Sequence, residues 1–178
     1  ASLTLPGNQA TTLGGVVSGT GALVKNGAST LTLNGANTFS GGLSLNAGGL
    51  LLGNAGALGT GALNVAGNTT LDSSVALTLG NGVNLTGGAV LDLLGSQDVT
   101  LGGVIAGTGE LVKNGASVLT LTGTNTFSGG LTLNAGSLLL GNSTSLGSGA
   151  LNVNGAATLD GLTALNLANN IALGGGAS

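Results

Sequence analysis

The sequence repeats itself at an offset of 88 residues, and this repeat constrains the fold more than any other feature. Residues 19–33 read GTGALVKNGASTLTL, and residues 107–121 read GTGELVKNGASVLTL. The two halves of the chain are identical at most positions when one is placed over the other at this offset. A fixed period of this kind is typical of repeat proteins, in which each unit buries its apolar surface against its neighbour. We therefore predict one continuous domain, 1–178, with internal repeats 3–90 and 91–178.

A finer period of about 20 residues lies within each unit, in the range typical of solenoid repeats. Apolar side chains recur in one series at Leu31, Leu51, Leu71, Leu91, Leu111, Leu131, Leu151 and Ile171, and in a second series at Leu23, Leu43, Leu63 and Val83. Short segments at these positions, such as LTL at 31–33 and LSL at 43–45, alternate apolar and polar residues, which is typical of half-buried strands. Glycine and asparagine between these segments favour tight corners.

These patterns predict an all-β fold, a parallel β-helix (β-solenoid) in which each turn of about 20 residues forms one rung. Equivalent strands of about eight successive rungs would pair in parallel at roughly 4.8 Å, and inward leucines and valines would stack into ladders. Four such turns leave eight positions of each unit unassigned, and we expect an insertion within residues 94–107. The chain has 19 asparagines, more than corners require, which favours stacked amide ladders.

The composition excludes several classes of function. Charged residues make up 4% of the chain, so the clustered cations that nucleic acids require are missing. Without His or Cys, the usual ligands of zinc, haem and iron–sulfur clusters are missing, as are the nucleophile–base pairs built on these residues. No apolar run is long enough for a membrane-spanning helix. The sequence thus predicts no catalytic residue, no cofactor or metal site, no nucleic-acid partner and no membrane insertion by this segment.

Five acids are the candidates for acid–base chemistry: Asp72, Asp92, Asp98, Glu110 and Asp160. Asp72 and Asp92 lie one period apart and could stack on adjacent rungs, as a carboxylate pair of the kind that pectin-cleaving β-helices use. The basic partners or histidine that such a hydrolase needs are missing. We therefore favour a solvated outer face for the acids, or a weak calcium contact.

Two further residue types recur at equivalent positions of the two units. Lys25 and Lys113 are expected to be solvent-facing charges at an edge or corner, with anion binding as the alternative. Phe39 and Phe127 are the only aromatic residues, and each lies between Asn-Thr and Ser-Gly-Gly. We expect each ring to cover the core at a wide corner, with a two-ring sugar platform as the alternative.

Both ends of the sequence fall at the same phase of the repeat, because Ala1, Ala89 and Ala177 share one repeat position. Repeat arrays usually end in atypical capping units, and neither end of this sequence resembles one. We therefore expect the stack to continue in a longer chain, or copies of it to associate end to end through the unpaired edges of the terminal rungs.

Part of each unit resembles a known family. Residues 25–53 read KNGASTLTLNGANTFSGGLSLNAGGLLLG, and residues 113–141 read KNGASVLTLTGTNTFSGGLTLNAGSLLLG. These segments resemble the autotransporter-associated β-strand repeat found in the passengers of bacterial type V secreted proteins, through Leu-Thr-Leu, Asn-Thr and Gly-Gly. They depart from it at Phe39 and Phe127, where the family often has Tyr. The resemblance implies a right-handed parallel β-helix in a surface-exposed or released passenger of a Gram-negative bacterium, a role in passenger folding and export, and no catalytic residue.

The sequence therefore favours a structural role. We expect a β-solenoid segment that serves as a stalk, spacer or fibre element of an extracellular or cell-surface autotransporter-like protein, with head-to-tail stacking into filaments as an extension of that role. The alternative is an adhesin or binding module that recognises a surface or host polymer through the side face of the solenoid.

Overall fold

The computed structural model describes residues 1–175, which form twenty β-strands and no helix. All strand pairs are parallel. The described chain therefore contains no helix that could cross a membrane. The predicted all-β parallel β-helix is confirmed.

Three sheets wrap around one narrow interior. The six-stranded sheet contains β1 (Ser2–Leu5), β3 (Ala22–Lys25), β5 (Leu43–Leu45), β7 (Leu63–Val65), β10 (Val83–Leu85) and β13 (Ile105–Gly107). The nine-stranded sheet contains β2 (Thr11–Leu13), β4 (Thr30–Leu33), β6 (Gly48–Leu52), β8 (Thr69–Ser73), β11 (Val90–Leu93), β14 (Glu110–Lys113), β16 (Leu131–Leu133), β18 (Leu151–Val153) and β20 (Ile171–Leu173). The five-stranded sheet contains β9 (Leu77–Leu79), β12 (Val99–Leu101), β15 (Val118–Leu121), β17 (Gly136–Leu140) and β19 (Ala157–Gly161). Since the nine-stranded sheet receives one strand from each turn, the described chain makes nine turns, one more than expected.

The interior is filled by aliphatic ladders that run along the helix axis. In the six-stranded sheet the ladder joins Leu23, Leu43, Leu63, Val83 and Ile105, which are register partners on successive turns. All five are buried. This confirms the second apolar series, and it shows why one position stays apolar in every turn: each side chain there has another directly above and below it.

The first apolar series is only partly right. Leu31 pairs with Leu50, whereas Leu51 pairs with Thr32 and is half-buried on the outer side. This step is one residue shorter than the fixed period, and the next one, from Leu50 to Leu71, is one residue longer. Because strand side chains alternate between the two faces, a shift of one residue exchanges inward and outward positions. The assignment of Leu51 to the inward series is therefore wrong.

The 88-residue unit makes four complete turns of the β-helix and then continues along one of the three sheets of the next turn. Four pairing steps along the six-stranded sheet lead from Leu23 to Ile105, and Leu111, the counterpart of Leu23, lies six residues further on. Leu111 belongs to β14, which is part of the nine-stranded sheet. Likewise β4 lies in the nine-stranded sheet, while its counterpart β15 lies in the five-stranded sheet. The second unit is thus rotated by one face about the helix axis relative to the first.

This rotation accounts for most of the eight unassigned positions, so the expected insertion within residues 94–107 is wrong. Six of them carry the chain to the next face. The other two widen one corner, at residues 86–89, where the register step from Thr69 to Leu91 exceeds the fixed period by two positions. Gly87 and Gly88 in this corner have φ angles of 61° and 73°, in the left-handed region that glycine adopts without strain.

Candidate functional site

The two lysines lie inside the β-helix. Lys25 and Lys113 end β3 and β14, and only 2% and 1% of their surfaces are exposed. Lys25 is a register partner of Leu45, so its aliphatic stem occupies a position in a leucine ladder. Its Nζ donates to the carbonyl oxygens of Gly27 and, at 3.5 Å, of Ala47 on the next turn. The lysine therefore connects the corner of one turn to the corner of the next through hydrogen bonds.

Lys113 makes the equivalent contact and donates to the carbonyl oxygen of Gly115. Burial lowers the pKa of both lysines because it removes water from the charged amine, and for Lys113 the Asp98 carboxylate opposes this effect. The prediction of solvent-facing lysines is wrong. The alternative, anion binding, would need amines that are free to contact the anion, whereas these amines are buried and donate to backbone carbonyls. The alternation in residues 23–25 contained the signal, because the residue two after an inward leucine also points inward.

The glycine two residues after each lysine is required by the packing of adjacent turns. A Cβ on Gly27 would lie 1.7 Å from the carbonyl oxygen of Gly7, and a Cβ on Gly115 would lie 2.2 Å from that of Leu94. Only glycine permits so close an approach of two backbones. The Lys-Asn-Gly segment is therefore a corner fitted against the turn below it.

Buried asparagines connect three successive turns. Asn125 is 4% exposed; its Oδ1 accepts a hydrogen bond from the Ile105 amide at 2.8 Å, and its Nδ2 donates to the Ser145 carbonyl at 2.6 Å. Asn37 occupies the equivalent position and makes the equivalent bonds one unit earlier. One amide side chain thus satisfies a buried donor on the turn below and a buried acceptor on the turn above.

The two phenylalanines close the interior beside these asparagines. Phe39 and Phe127 are 1% and 0% exposed, and both belong to the hydrophobic core. The expectation that each ring covers the core at a wide corner is confirmed. A sugar platform built on these rings is wrong, since neither ring presents a face to solvent.

Outward asparagines form the predicted amide ladders. Asn154 donates to Asn134 at 3.1 Å, Asn134 to Asn114 at 2.6 Å, and Asn114 to the Oδ1 of Asp92 at 2.6 Å. All these bonds run in one direction along the axis, and the ladder ends on a group that only accepts hydrogen bonds. A second outer ladder joins Asn84 to Asn64 at 2.8 Å.

The acids do not form a stacked pair. Asp92 pairs in register with Thr70, two residues before Asp72. The Asp72 carboxylate instead accepts hydrogen bonds from the Ser96 backbone amide at 3.1 Å and from its hydroxyl at 2.6 Å. The proposed stacking of Asp72 on Asp92 is therefore wrong, because the register step between their strands is two positions longer than the fixed period. Within residues 1–175 no three acidic side chains lie close enough to hold a metal ion.

A groove of about 480 Å³ with a mixed polar and apolar lining crosses the outer face of the nine-stranded sheet. Its floor is the register row Thr30, Gly49, Thr70 and Asp92, with one residue from each of four successive turns. Asn68 lines its side and is exposed. The sequence did not reveal this groove, because the three register steps within the row all differ in length and follow no fixed period.

Comparison with known protein families identifies the segments that contain these corners. The model of the passenger-associated-transport-repeat matches residues 23–52 and 111–140. Two segments of the chain therefore match this family model, and they are the first and second passenger repeats. This confirms the resemblance drawn from the sequence, and the family implies a secreted or cell-surface passenger of a Gram-negative bacterium. Comparisons with curated proteins and with solved structures gave no match.

The structure explains what the passenger repeat specifies. Each copy begins within the strand that ends in the buried lysine and ends with the second strand after the buried phenylalanine corner. The lysine, the internal asparagine and the phenylalanine of each repeat are all buried, and each contacts groups on a neighbouring turn or in the shared core. The repeat thus encodes the connections between turns, and its most distinctive residues are structural.

The two passenger repeats differ at the groove. Thr30 and Gly49 of the first repeat correspond to Val118 and Ser137 of the second. In the second repeat Ser137 carries a hydroxyl where Gly49 has no side chain, and the Thr158 hydroxyl donates to it at 2.6 Å. The row is therefore closed by the protein's own side chain in the second repeat and open in the first.

Proposed function

We propose that this chain is a structural segment of an exported passenger, working as a stalk or spacer on or beyond the bacterial surface. The observation that carries the proposal is the nine-stranded parallel sheet, which runs without a break through both passenger repeats. Nine rungs at roughly 4.8 Å make a rod on the order of 40 Å long. Such a rod has a defined length and holds its two ends a fixed distance apart.

The way the fold is stabilised suits a chain that folds after export. Its interior depends on stacked leucines, backbone pairing and internal asparagines, with no cysteine to oxidise. Each turn adds the same contacts as the turn before it, so folding can proceed by adding turns to an existing end. In this proposal the chain is not an enzyme, and Asp72 and Asp92 are surface acids that bond to neighbouring turns.

The proposal includes continuation at the ends of the rod. Further turns, from the same protein or from a second copy, would cover these ends and pair with their free strand edges. If a second copy of the chain supplies those turns, the copies associate end to end and form a filament.

The experiment is to duplicate one 88-residue unit and measure the length of the particle by small-angle X-ray scattering. Four turns and one face should lengthen the rod by about 21 Å, with an unchanged cross-section. The matched control is a Gly/Ser insertion of equal length, which should give a flexible tail without a fixed increment. No increase in length on duplication, or a hydrolytic activity that Asp72→Asn or Asp92→Asn removes, would refute the proposal.

A further inference from the structure

We propose that the groove above Gly49 binds a neutral, hydroxyl-rich polymer, an extended oligosaccharide laid along the helix axis. This goes beyond the role of a stalk, and it concerns only the first passenger repeat. The site consists of the row Thr30, Gly49, Thr70 and Asp92, with Asn68 at its side.

Two threonine hydroxyls flank Gly49. A Cβ placed on Gly49 would lie 2.8 Å from the Thr70 Oγ1 and 3.0 Å from the Thr30 Oγ1. The Cβ point lies at bonding distance from the Gly49 Cα, so a ligand hydroxyl would sit further out, above the bare Cα and between the two threonine side chains. Thr30 is exposed and Thr70 is half-buried, so solvent reaches both residues.

The second passenger repeat shows which chemical group fits this point. In the row Val118, Ser137 and Thr158 the serine hydroxyl occupies the equivalent place and accepts a hydrogen bond from the threonine. The protein therefore already stabilises a hydroxyl oxygen at this position of the row. Where Gly49 removes the internal hydroxyl, a hydroxyl from a ligand can take its place.

The charges around the groove decide between ligand classes. Asp92 ends the row; its Oδ1 accepts from Asn114, which leaves Oδ2 as an acceptor for a ligand hydroxyl. Asn68 uses its Oδ1 to accept from the Val90 amide at 3.2 Å, which leaves its Nδ2 as a donor. The groove lining includes no cation, so an anionic polymer would meet one carboxylate and no compensating charge. A neutral sugar chain, which both donates and accepts, matches this set of groups.

The shape of the row favours an extended ligand and weak binding. The four residues span three rung steps, roughly 14 Å along the axis, with a polar group or a gap at each step. The buried Phe39 and Phe127 offer no stacking surface, so hydrogen bonds alone hold the ligand. We expect dissociation constants of roughly millimolar for a single groove, the weakest range of specific binding.

The test is an NMR titration of the ¹⁵N-labelled full chain with cellohexaose and with maltohexaose, using hexagalacturonate and a hexaserine peptide as comparators. At least one neutral hexasaccharide should cause saturable shifts of the Gly49 and Thr70 amides, and the two comparators should not. Gly49→Ser copies the residue of the second repeat, so it should retain the fold and weaken binding at least tenfold. Absence of saturable shifts with both neutral sugars, or tighter binding of either comparator, would overturn the proposal.

A gain of binding provides the second arm. The Val118→Thr/Ser137→Gly double variant recreates the threonine–glycine–threonine row in the second repeat. It should add a new set of saturable shifts at the Thr158 amide, without changing those at Gly49. If Gly49→Ser binds as well as the unmodified chain, and the double variant gains no shifts, the hydroxyl row does not bind the sugar.

Discussion

Replacing Asn125 with alanine removes a buried side chain that connects three turns in the middle of the rod. Its Oδ1 accepts from the Ile105 amide and its Nδ2 donates to the Ser145 carbonyl, and both of these residues are fully buried. Alanine leaves both backbone groups without partners and out of reach of water. Each buried group that loses its partner costs about 1–3 kcal/mol, so the loss of two partners in Asn125→Ala should cost about 2–6 kcal/mol. For a chain of this size that corresponds to a lowering of Tm by roughly 4–24 °C.

Two further asparagines calibrate this estimate. Asn37→Ala breaks the equivalent bonds, but one of its partners, Val17, is half-buried on an outer turn, so water can satisfy part of the loss. Asn84→Ala breaks an exposed side-chain bond to Asn64 and should cost less than about 0.5 kcal/mol. The expected order of destabilisation is Asn125, then Asn37, then Asn84, measured by thermal and urea unfolding monitored by circular dichroism.

Hydrogen exchange gives a local measurement of the same effect. The Ile105 amide should lose protection in Asn125→Ala and keep it in Asn84→Ala, because only the first variant removes its acceptor. Equal Tm values for Asn125→Ala and Asn84→Ala, with unchanged exchange at Ile105, would refute the argument that internal asparagines hold successive turns together.

Two other predictions follow from the same interior. Burial lowers the pKa of Lys25 and Lys113 below the ordinary value of 10.5, so the folded chain releases these protons at lower pH than the unfolded chain. The urea midpoint of unfolding should therefore rise as the pH is raised toward 10.5. The Lys25→Met/Lys113→Met double variant should lack this rise. A midpoint that falls over this range in the unmodified chain but not in the double variant would contradict the assignment. Phe127→Ala should lower the free energy of unfolding in urea by about 3–5 kcal/mol, because the ring is fully buried. The control Leu162→Ala changes a side chain that is 57% exposed and should alter the free energy of unfolding by no more than about 0.5 kcal/mol. Similar losses of stability in both variants would show that the ring does not close the core.

The sequence predicted the architecture because the same contacts recur in every turn. Alternating segments such as LSL at 43–45 place Leu43 and Leu45 inward, and the regular spacing places Leu63 above Leu43. The sequence-based prediction failed where the spacing between paired residues differs from one turn to the next. Register steps shorter or longer than the fixed period moved Leu51 outward and separated Asp72 from Asp92, and they depend on corner geometry that a fixed period cannot show.

The buried lysine was missed for a different reason. Its inward phase was visible in residues 23–25, but the charge suggested solvent. A lysine can occupy a leucine ladder when its stem packs among apolar side chains and a corner supplies carbonyl oxygens for its amine, as Gly27 does for Lys25. The groove could not be predicted, because Thr30, Gly49, Thr70 and Asp92 become neighbours only once the register of four turns is known.

The rotation of one face per unit has a consequence for any longer chain built from in-phase copies. Three units complete thirteen turns and bring the motif back to the same side, about 62 Å further along the axis. A flat surface lying against such a rod would therefore meet one copy in three, and the intervening copies would face other directions. Avidity toward one surface would then grow with every third copy, while the other two thirds of the copies remain available to neighbours around the rod.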